Sequence, residues 1–291
     1  MKLFVFGLGF SAGYFAKRRQ AHGDSVAGTV RTRAKAEALA AAGLRTFVFG
    51  PEGRDAGMDA ELAACEALLI SAPPDTDGDP VLRAFAPQLA AAKNLRWIGY
   101  LSTIGVYGDH GGAWIDETTP ATPINPRSQE RVDAENEWLA FGAAHNVPVQ
   151  VFRLAGIYGP GQNQLVQLAR GTARRIVKPG QVFNRIHVED IARVLDASLK
   201  KPRAGAIYNV ADDEPAPAPD AMAFAAKLCG IEPPPEIKLE DAGLPPMALS
   251  FYEECKRARN RLLHDELGVT LAYPTYREGL TALRAAGDGP R

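Results

Sequence analysis

The residues whose types and spacing suggest chemistry begin at the front of the chain. Gly7, Gly9, Ala12 and Gly13 follow five mostly apolar residues, Lys2 to Phe6, that read as a buried strand, and they mark a tight turn into a helix. A turn of this kind suits phosphate. Gly7 permits the reversal, Gly9 lets the backbone approach a pyrophosphate, and the small Ala12 lets helix pack on strand. Phosphate oxygens then face the first turn of the helix, where backbone N–H groups lack partners and the dipole is positive. The spacing predicts a dinucleotide held by Gly7, Gly9, Phe10, Ser11 and Ala12.

The residues leaving the second strand, Ser25 to Val30, bear on which dinucleotide is held. A carboxylate there would take a ribose 2′-hydroxyl, but the chain runs Thr29-Val30-Arg31-Thr32-Arg33 with no acid until Glu37. Arg31 and Arg33 suit a 2′-phosphate through charge-assisted hydrogen bonds, so NADP is expected ahead of NAD; the plainer alternative is a solvated helix start.

Composition narrows the partners. The chain has 291 residues, enough for one large or two intimate domains, and its net charge of −1 gives no electrostatic case for nucleic acid or a membrane surface. Cys65, Cys229 and Cys255 show no metal-ligand spacing, so no metal is expected and a reducing cytoplasm fits. No apolar run approaches the roughly 18 residues of a membrane span. A cytoplasmic monomer or homodimer acting on a small molecule is the expectation.

The elements that must position these residues alternate as strand and helix. A helix over Ser11 to Gln20 joins the first two strands, which implies a parallel pair with a right-handed crossover. A helix from Ala34 to Ala42, a third strand at Leu44 to Phe49, a polar loop from Gly50 to Gly57 and a helix around Met58 to Cys65 follow. The fourth strand, Ala67 to Ser71, ends in Ser71-Ala72-Pro73-Pro74. This is either a ligand-side edge contributing Ser71, Ala72 and Pro73 or simply a rigid loop. Asp75 to Asp79 reads as a solvated loop capping a helix that begins near Pro80.

The fifth strand, Arg96 to Ser102, runs into Thr103-Ile104-Gly105-Val106-Tyr107-Gly108. With the glycine turn at Gly7, the run Arg153 to Gly161 and the run Arg185 to Ala192, this chain resembles an extended or atypical member of the short-chain dehydrogenase/reductase superfamily. The resemblance implies a doubly wound parallel α/β sheet, a Rossmann fold of about seven strands, with a small mixed C-terminal lobe. It also implies a dinucleotide-binding core over 1–154 completed by 185–211, and a substrate lobe made from 155–184 and 212–291. By the same resemblance Ser102, Ala155 and Tyr158 lie beside the cofactor, and Arg185 can reach the substrate. His187 reads more simply as a buried histidine bonded to backbone.

In that superfamily a Ser or Thr after the fifth strand orients the substrate, a tyrosine moves the proton, and a lysine one helical turn on lowers the tyrosine pKa and holds the nicotinamide ribose. Thr103 matches the first position, although a local turn could satisfy its hydroxyl. Placing Glu135 on the acidic residue that follows the lysine puts Arg131 at the lysine position and Arg127 at the tyrosine position. The Tyr-x-x-x-Lys pair is absent. Arg127, Arg131 and Glu135 should share one helix face. Arg131 can supply charge; Arg127 cannot shuttle a proton, because guanidinium does not give one up.

Three accounts stay open. Tyr107 or Tyr158 takes over proton transfer; Arg127 and Arg131 bind an anionic substrate; or the dinucleotide is sensed without turnover. The expected function is an NADP-dependent oxidoreductase or epimerase/dehydratase-like enzyme on a polar, anionic small molecule, with Thr103, Tyr107 and Arg131 at the chemistry and Arg127 and Arg185 on the substrate. A non-catalytic redox sensor or scaffold is the alternative. The literal Tyr252 to Lys256 match reads as coincidence, and Lys256-Arg257-Ala258-Arg259 as a solvated helix face.

Overall fold

A computed structural model describes residues 1–290. Its strands, in chain order, are β1 (Lys2–Phe6), β2 (Ser25–Val30), β3 (Arg45–Gly50), β4 (Gly53–Arg54), β5 (Ala67–Ile70), β6 (Trp97–Thr103) and β7 (Trp114–Ile115). They continue with β8 (Val149–Leu154), β9 (Gly156–Tyr158), β10 (Arg175–Val177), β11 (Arg185–His187), β12 (Ala206–Val210), β13 (Glu236–Lys238) and β14 (Arg257–Ala258). Eight of them form one sheet in the order β12-β8-β6-β5-β1-β2-β3-β4. β1 lies parallel to β2, Leu3 opposite Val26, and parallel to β5, Leu3 opposite Ala67. Strand order therefore reverses about β1, the switch point at which an open α/β sheet leaves a crevice at its strand ends.

The doubly wound α/β architecture is as expected, with eight strands in the main sheet. The added one is β4, which folds back antiparallel on β3, Phe49 opposite Arg54, within the stretch read as a polar loop. Its two residues are too few to show an alternating pattern.

The chain divides into two compact units. The first holds Met1–Val106, Asn125–Arg153 and Ile191–Tyr208; the second holds Tyr107–Ile124, Leu154–Asp190 and the chain from Asn209 onward. Residues 107–124, 154, 185–190 and 209–211, expected in the nucleotide-binding core, thus group with the second unit. Pairing explains part of this, since β7 joins β14 and β11 joins β9.

In the first unit, helices α1 (Phe10–Ala21), α2 (Arg33–Ala41), α3 (Met58–Ala64), α4 (Pro80–Ala90) and α5 (Pro126–His145) flank the sheet strands in sequence. Phe4 and Phe6 of β1 pack with Phe85 of α4 and Trp138 of α5 in one buried cluster, the Phe6 and Phe85 ring centroids 5.2 Å apart. Asp79 caps α4 through the N–H groups of Val81 and Leu82, and Asn125 caps α5 through that of Ser128. The second unit has its own core, in which Leu165, Ala225, Tyr276 and Leu280 meet.

The run Lys256 to Arg259, read as a solvated helix face, differs from that reading, as does the region 247–263 around it. Helix there is confined to Pro246–Ser250 and to a second short helix that begins at Arg261, and Lys256, which lies between them and is 4% exposed, donates to the Gly108 carbonyl at 2.7 Å and pairs with Glu254 at 2.8 Å. It is a buried structural cation rather than part of a solvated helix face. Tyr252 and Lys256 do not share a helix, so their spacing carries no catalytic meaning. Among the described residues no helix is long and apolar enough to cross a membrane.

Candidate functional site

The glycine turn after β1 is built for close approach. Gly7 has φ +87°, and a Cβ there would stand 2.9 Å from the Ala72 nitrogen, so no other residue fits without moving the loop after β5. Its N–H donates to Thr29 Oγ1 at 3.0 Å, which ties the turn to β2. Gly9 caps α1 with no side-chain acceptor, leaving N–H groups of the first turn for an anion.

Beside this turn lies a cleft of about 1060 Å³ lined by Gly7, Gly9, Thr29 to Thr32, Phe49 to Pro51, Ser71 to Pro73 and Pro80. Gly7, Gly9, Arg31, Ser71, Ala72 and Pro73 thus come together as the sequence predicted. Phe10, Ser11 and Ala12 form the first turn of α1 without lining the cleft; Ser11 and Ala12 are buried.

Four cations also border the cleft: Arg31, Lys35, Arg54 and Arg83. Arg54 pairs with Asp59 and lies 4.1 Å over the Phe85 ring, and Arg83 grips Asp75 at 2.6 and 2.8 Å. Arg31 and Lys35 have no ion pair among the described residues. Gly50 makes room for the first of them, since a Cβ there would meet Arg31 carbons at 3.2 to 3.3 Å. Arg33 corrects its expected role. It is not in the cleft wall, and its guanidinium binds both oxygens of Asp55. That contact holds the Asp55 carboxyl below the usual carboxylate range. Lys35 was missed, although its place in the first turn of α2, four residues beyond Arg31, was visible in the sequence.

At the end of β6, the Thr103 hydroxyl accepts the Gly105 N–H at 3.0 Å, the local turn foreseen as its plainer role; its proton can still be donated. A Cβ on Gly105 would lie 3.3 Å from both Thr103 Oγ1 and Ser128 Oγ. Ser128 is 7% exposed, and its hydroxyl has no protein partner among the described residues. Sequence reasoning passed over it because the family pattern drew attention to Arg127.

The face of α5 turned inward carries Ser128, Ala134, Glu135 and Trp138. Arg127 is exposed and Arg131 half-buried, so the expected column of Arg127, Arg131 and Glu135 does not face one environment. Glu135 is bound to Arg153 at 2.7 Å and accepts the Ser102 hydroxyl. Ser102 is therefore engaged inside the sheet–helix contact, not with a cofactor.

Both tyrosines offered as proton shuttles are also engaged. Tyr107, with no exposed surface, donates its hydroxyl to Asn209 at 2.8 Å. Tyr158 is 4% exposed, its hydroxyl faces the Thr275 carbonyl at 3.4 Å, and burial pushes the phenol well above its ordinary pKa. Ala155 donates its N–H to Val210 at 3.0 Å. Arg185 donates to the carbonyls of Phe183 and Ala216 at 3.1 and 3.0 Å and is 7% exposed, a structural cation rather than a substrate contact. His187 is buried against Tyr158 and Tyr273, its Nδ1 accepting the Glu189 N–H, in keeping with the bland reading.

The family pattern of the NAD dependent epimerase/dehydratase family matches residues 87–211. The chain is also 31% identical over 254 residues to Protein YeeZ of Escherichia coli K12, spanning 85% of that protein and 80% of this chain. This chain belongs to the NAD-dependent epimerase/dehydratase family. A conserved protein of unknown function from Silicibacter pomeroyi shares 49% identity and superposes with a TM-score of 0.90, covering 98% of this chain and 99% of its own. UDP-glucuronic acid 4-epimerase from Bacillus cereus, bound to UDP-glucuronic acid and NAD, has a TM-score of 0.77 at 18% identity over 98% of both chains, which is a likeness of fold.

NAD(P) binding is expected of an epimerase/dehydratase-family chain, and the residues fit the group. The Gly7 position beside Ala72 is a cradle that a side chain would fill, the α1 N–H groups lack a cap, and the cleft wall is largely apolar with free cations near it. The resemblance to the extended short-chain dehydrogenase/reductases is thereby borne out at the level of family and fold.

Proposed function

We propose that the chain binds NADP and acts as an oxidoreductase or epimerase/dehydratase-type enzyme on a polar, anionic small molecule. The observation that carries this reading is the pair of unpaired cations, Arg31 and Lys35, bordering the glycine-turn cleft. First-turn N–H groups of α1 take the pyrophosphate. The Arg31 fork takes two oxygens of the 2′-phosphate and Lys35 adds a point charge. NAD would leave both cations without a ligand.

The nicotinamide, when bound, supplies hydride exchange; the remaining tasks fall to side chains. The Thr103 and Ser128 hydroxyls hold the reacting oxygen of the substrate, and a proton passes at Ser128 Oγ in exchange with water. The half-buried Arg131 supplies positive charge, and the exposed Arg127 draws an anionic substrate. The near-neutral chain favours a small-molecule partner over nucleic acid or membrane, in the cytoplasm, as monomer or homodimer.

A second reading has its own support. Every tyrosine proposed for proton transfer is buried and hydrogen-bonded within the protein, which favours a sensor that binds NADP without turnover. Calorimetric titration with NADP and NAD tests the shared claim, and tighter NAD binding rejects it. Nicotinamide absorbance across a panel of sugars, keto acids and acyl derivatives then separates the two readings: steady turnover rejects the sensor.

A further inference from the structure

The fold-back of β4 on β3 sets a carboxylate at the start of α2. Gly50 and Gly53 pair across this hairpin, so Pro51 and Glu52 form its two-residue tip. The base of the hairpin is fastened. Asp55 gives its N–H to the Val48 carbonyl at 3.0 Å, and its carboxylate accepts the Val48 N–H at 2.8 Å while holding the Arg33 guanidinium. At the tip, Glu52 Oε2 accepts the backbone N–H of Arg33 at 2.8 Å. The hairpin is thus anchored through Asp55, and only the exposed Glu52 side chain is left to swing.

The N–H that Glu52 takes belongs to the first turn of α2, where Thr32 also accepts the Lys35 N–H at 3.4 Å. Arg31, Thr32 and Lys35 line the glycine-turn cleft, and so do Pro51 and Gly53 on either side of Glu52. Arg33 lies two residues from each of the two cations. A 2′-phosphate held by Arg31 and Lys35 therefore comes to a helix start that already carries an anion. Such a phosphate brings about −1.5 to −2 charges near neutral pH, and the helix end that favours it favours a carboxylate as well. A ribose 2′-hydroxyl meets no such conflict, because it is neutral and can donate to a carboxylate.

We propose that Glu52 is a specificity-determining residue. Its carboxylate holds the start of α2 in the free protein, must give way to the 2′-phosphate of NADP and need not give way to NAD, and so narrows the preference that Arg31 and Lys35 create. The inference rests on the reading that the cleft binds NADP. It adds a carboxylate supplied by the β3–β4 turn, from outside the run that leaves β2, working against the cations beside it.

The test is calorimetric titration of the wild type, Glu52→Gln and Glu52→Ala with NADP and with NAD, at low and at high salt. Glu52→Gln keeps an acceptor for the Arg33 N–H and removes only the charge. It should tighten NADP about fivefold, the scale of an exposed pair of charges, and leave NAD within about twofold. Glu52→Ala, which also frees the Arg33 N–H for the phosphate, should tighten NADP at least as much. Raising the salt from about 0.05 M to about 0.5 M should shrink the advantage of Glu52→Gln over the wild type to within about twofold, because repulsion between exposed charges is screened. A merely structural glutamate would not show that salt dependence. NADP binding that Glu52→Gln leaves unchanged or weakens overturns the inference, and so does an equal gain for both nucleotides. A wild type that binds neither nucleotide overturns the cofactor reading and the inference together. One that prefers NADP and loses that preference in Arg31→Ala, yet gains nothing in Glu52→Gln, overturns the inference alone.

Discussion

Arg153 and Glu135 face each other at 2.7 Å with 6% and 2% of their side chains exposed, and the Ser102 hydroxyl donates to the same carboxylate. The pair fastens α5 to the strands that carry Ser102 and Arg153, and so fixes where Ser128 and Arg131 stand. Glu135→Gln removes the Glu135 carboxylate from a buried guanidinium and should destabilise the protein by about 3 kcal/mol, read by urea denaturation. Glu135→Leu combined with Arg153→Met should recover most of that loss. A single variant as stable as wild type would show that water, rather than Glu135, satisfies Arg153.

Cofactor preference separates residues that the sequence alone treated alike. Arg31→Ala and Lys35→Ala should each weaken NADP about tenfold and NAD less than about twofold, since only the 2′-phosphate distinguishes them. Arg33→Ala should leave both affinities nearly unchanged. Its pair with Asp55 is 57% and 21% exposed, so stability should change little. Titration of the three variants with both nucleotides checks this, and an equal loss of NADP and NAD at Arg31 would refute the assignment.

The fold was legible because its signals are local. The turn at Gly7, the parallel strands and the capped helices each follow from a few adjacent residues. Arg31 and Arg33 show the limit: both leave β2, and only the fold-back at Gly53–Arg54, which brings Asp55 to Arg33, separates their fates. Tyr107 and Tyr158 failed as proton shuttles for a similar reason. Their partners, Asn209 and Thr275, lie about a hundred residues or more away, a distance that motif spacing does not register. Ser128 was hidden for the opposite reason. It is adjacent to Arg127, but helical periodicity turns one inward and the other out.

The hydroxyl pair beside Gly105 makes a kinetic prediction. With a substrate found from the panel, Ser128→Ala should lower kcat about a hundredfold while NADP affinity stays within twofold, because the hydroxyl serves the proton transfer and not the nucleotide. Thr103→Val should raise KM and lower kcat. Gly105→Ala, whose methyl would press on both hydroxyls at 3.3 Å, should show a milder form of the same defect. Full activity in the Ser128→Ala and Thr103→Val double variant would remove both residues from the mechanism.

Two buried groups of the second unit set opposing pH dependences. Asp212, 1% exposed with Arg185, Asp213 and Glu214 about it, has its carboxyl pushed up from 3.8 to about 8, chiefly by burial. The folded state then keeps a proton that the unfolded chain releases near pH 4, so stability falls by about 1.4 kcal/mol per pH unit as pH rises from about 4 to about 8. His187, desolvated between Tyr158 and Tyr273 with Glu189 acting weakly in the other direction, is pulled from 6.5 to about 4. Here the unfolded chain holds the extra proton, so stability rises with pH from about 4 to about 6.5 at the same slope. The two effects cancel up to about pH 6.5, above which the Asp212 loss stands alone up to about pH 8. Urea denaturation across that range should show Asp212→Asn abolishing the alkaline decline. His187→Phe, which keeps an aromatic ring against Tyr158 and Tyr273, should start the decline near pH 4 instead of 6.5. An alkaline slope unchanged by Asp212→Asn would mean that another group, not this carboxyl, takes up the proton.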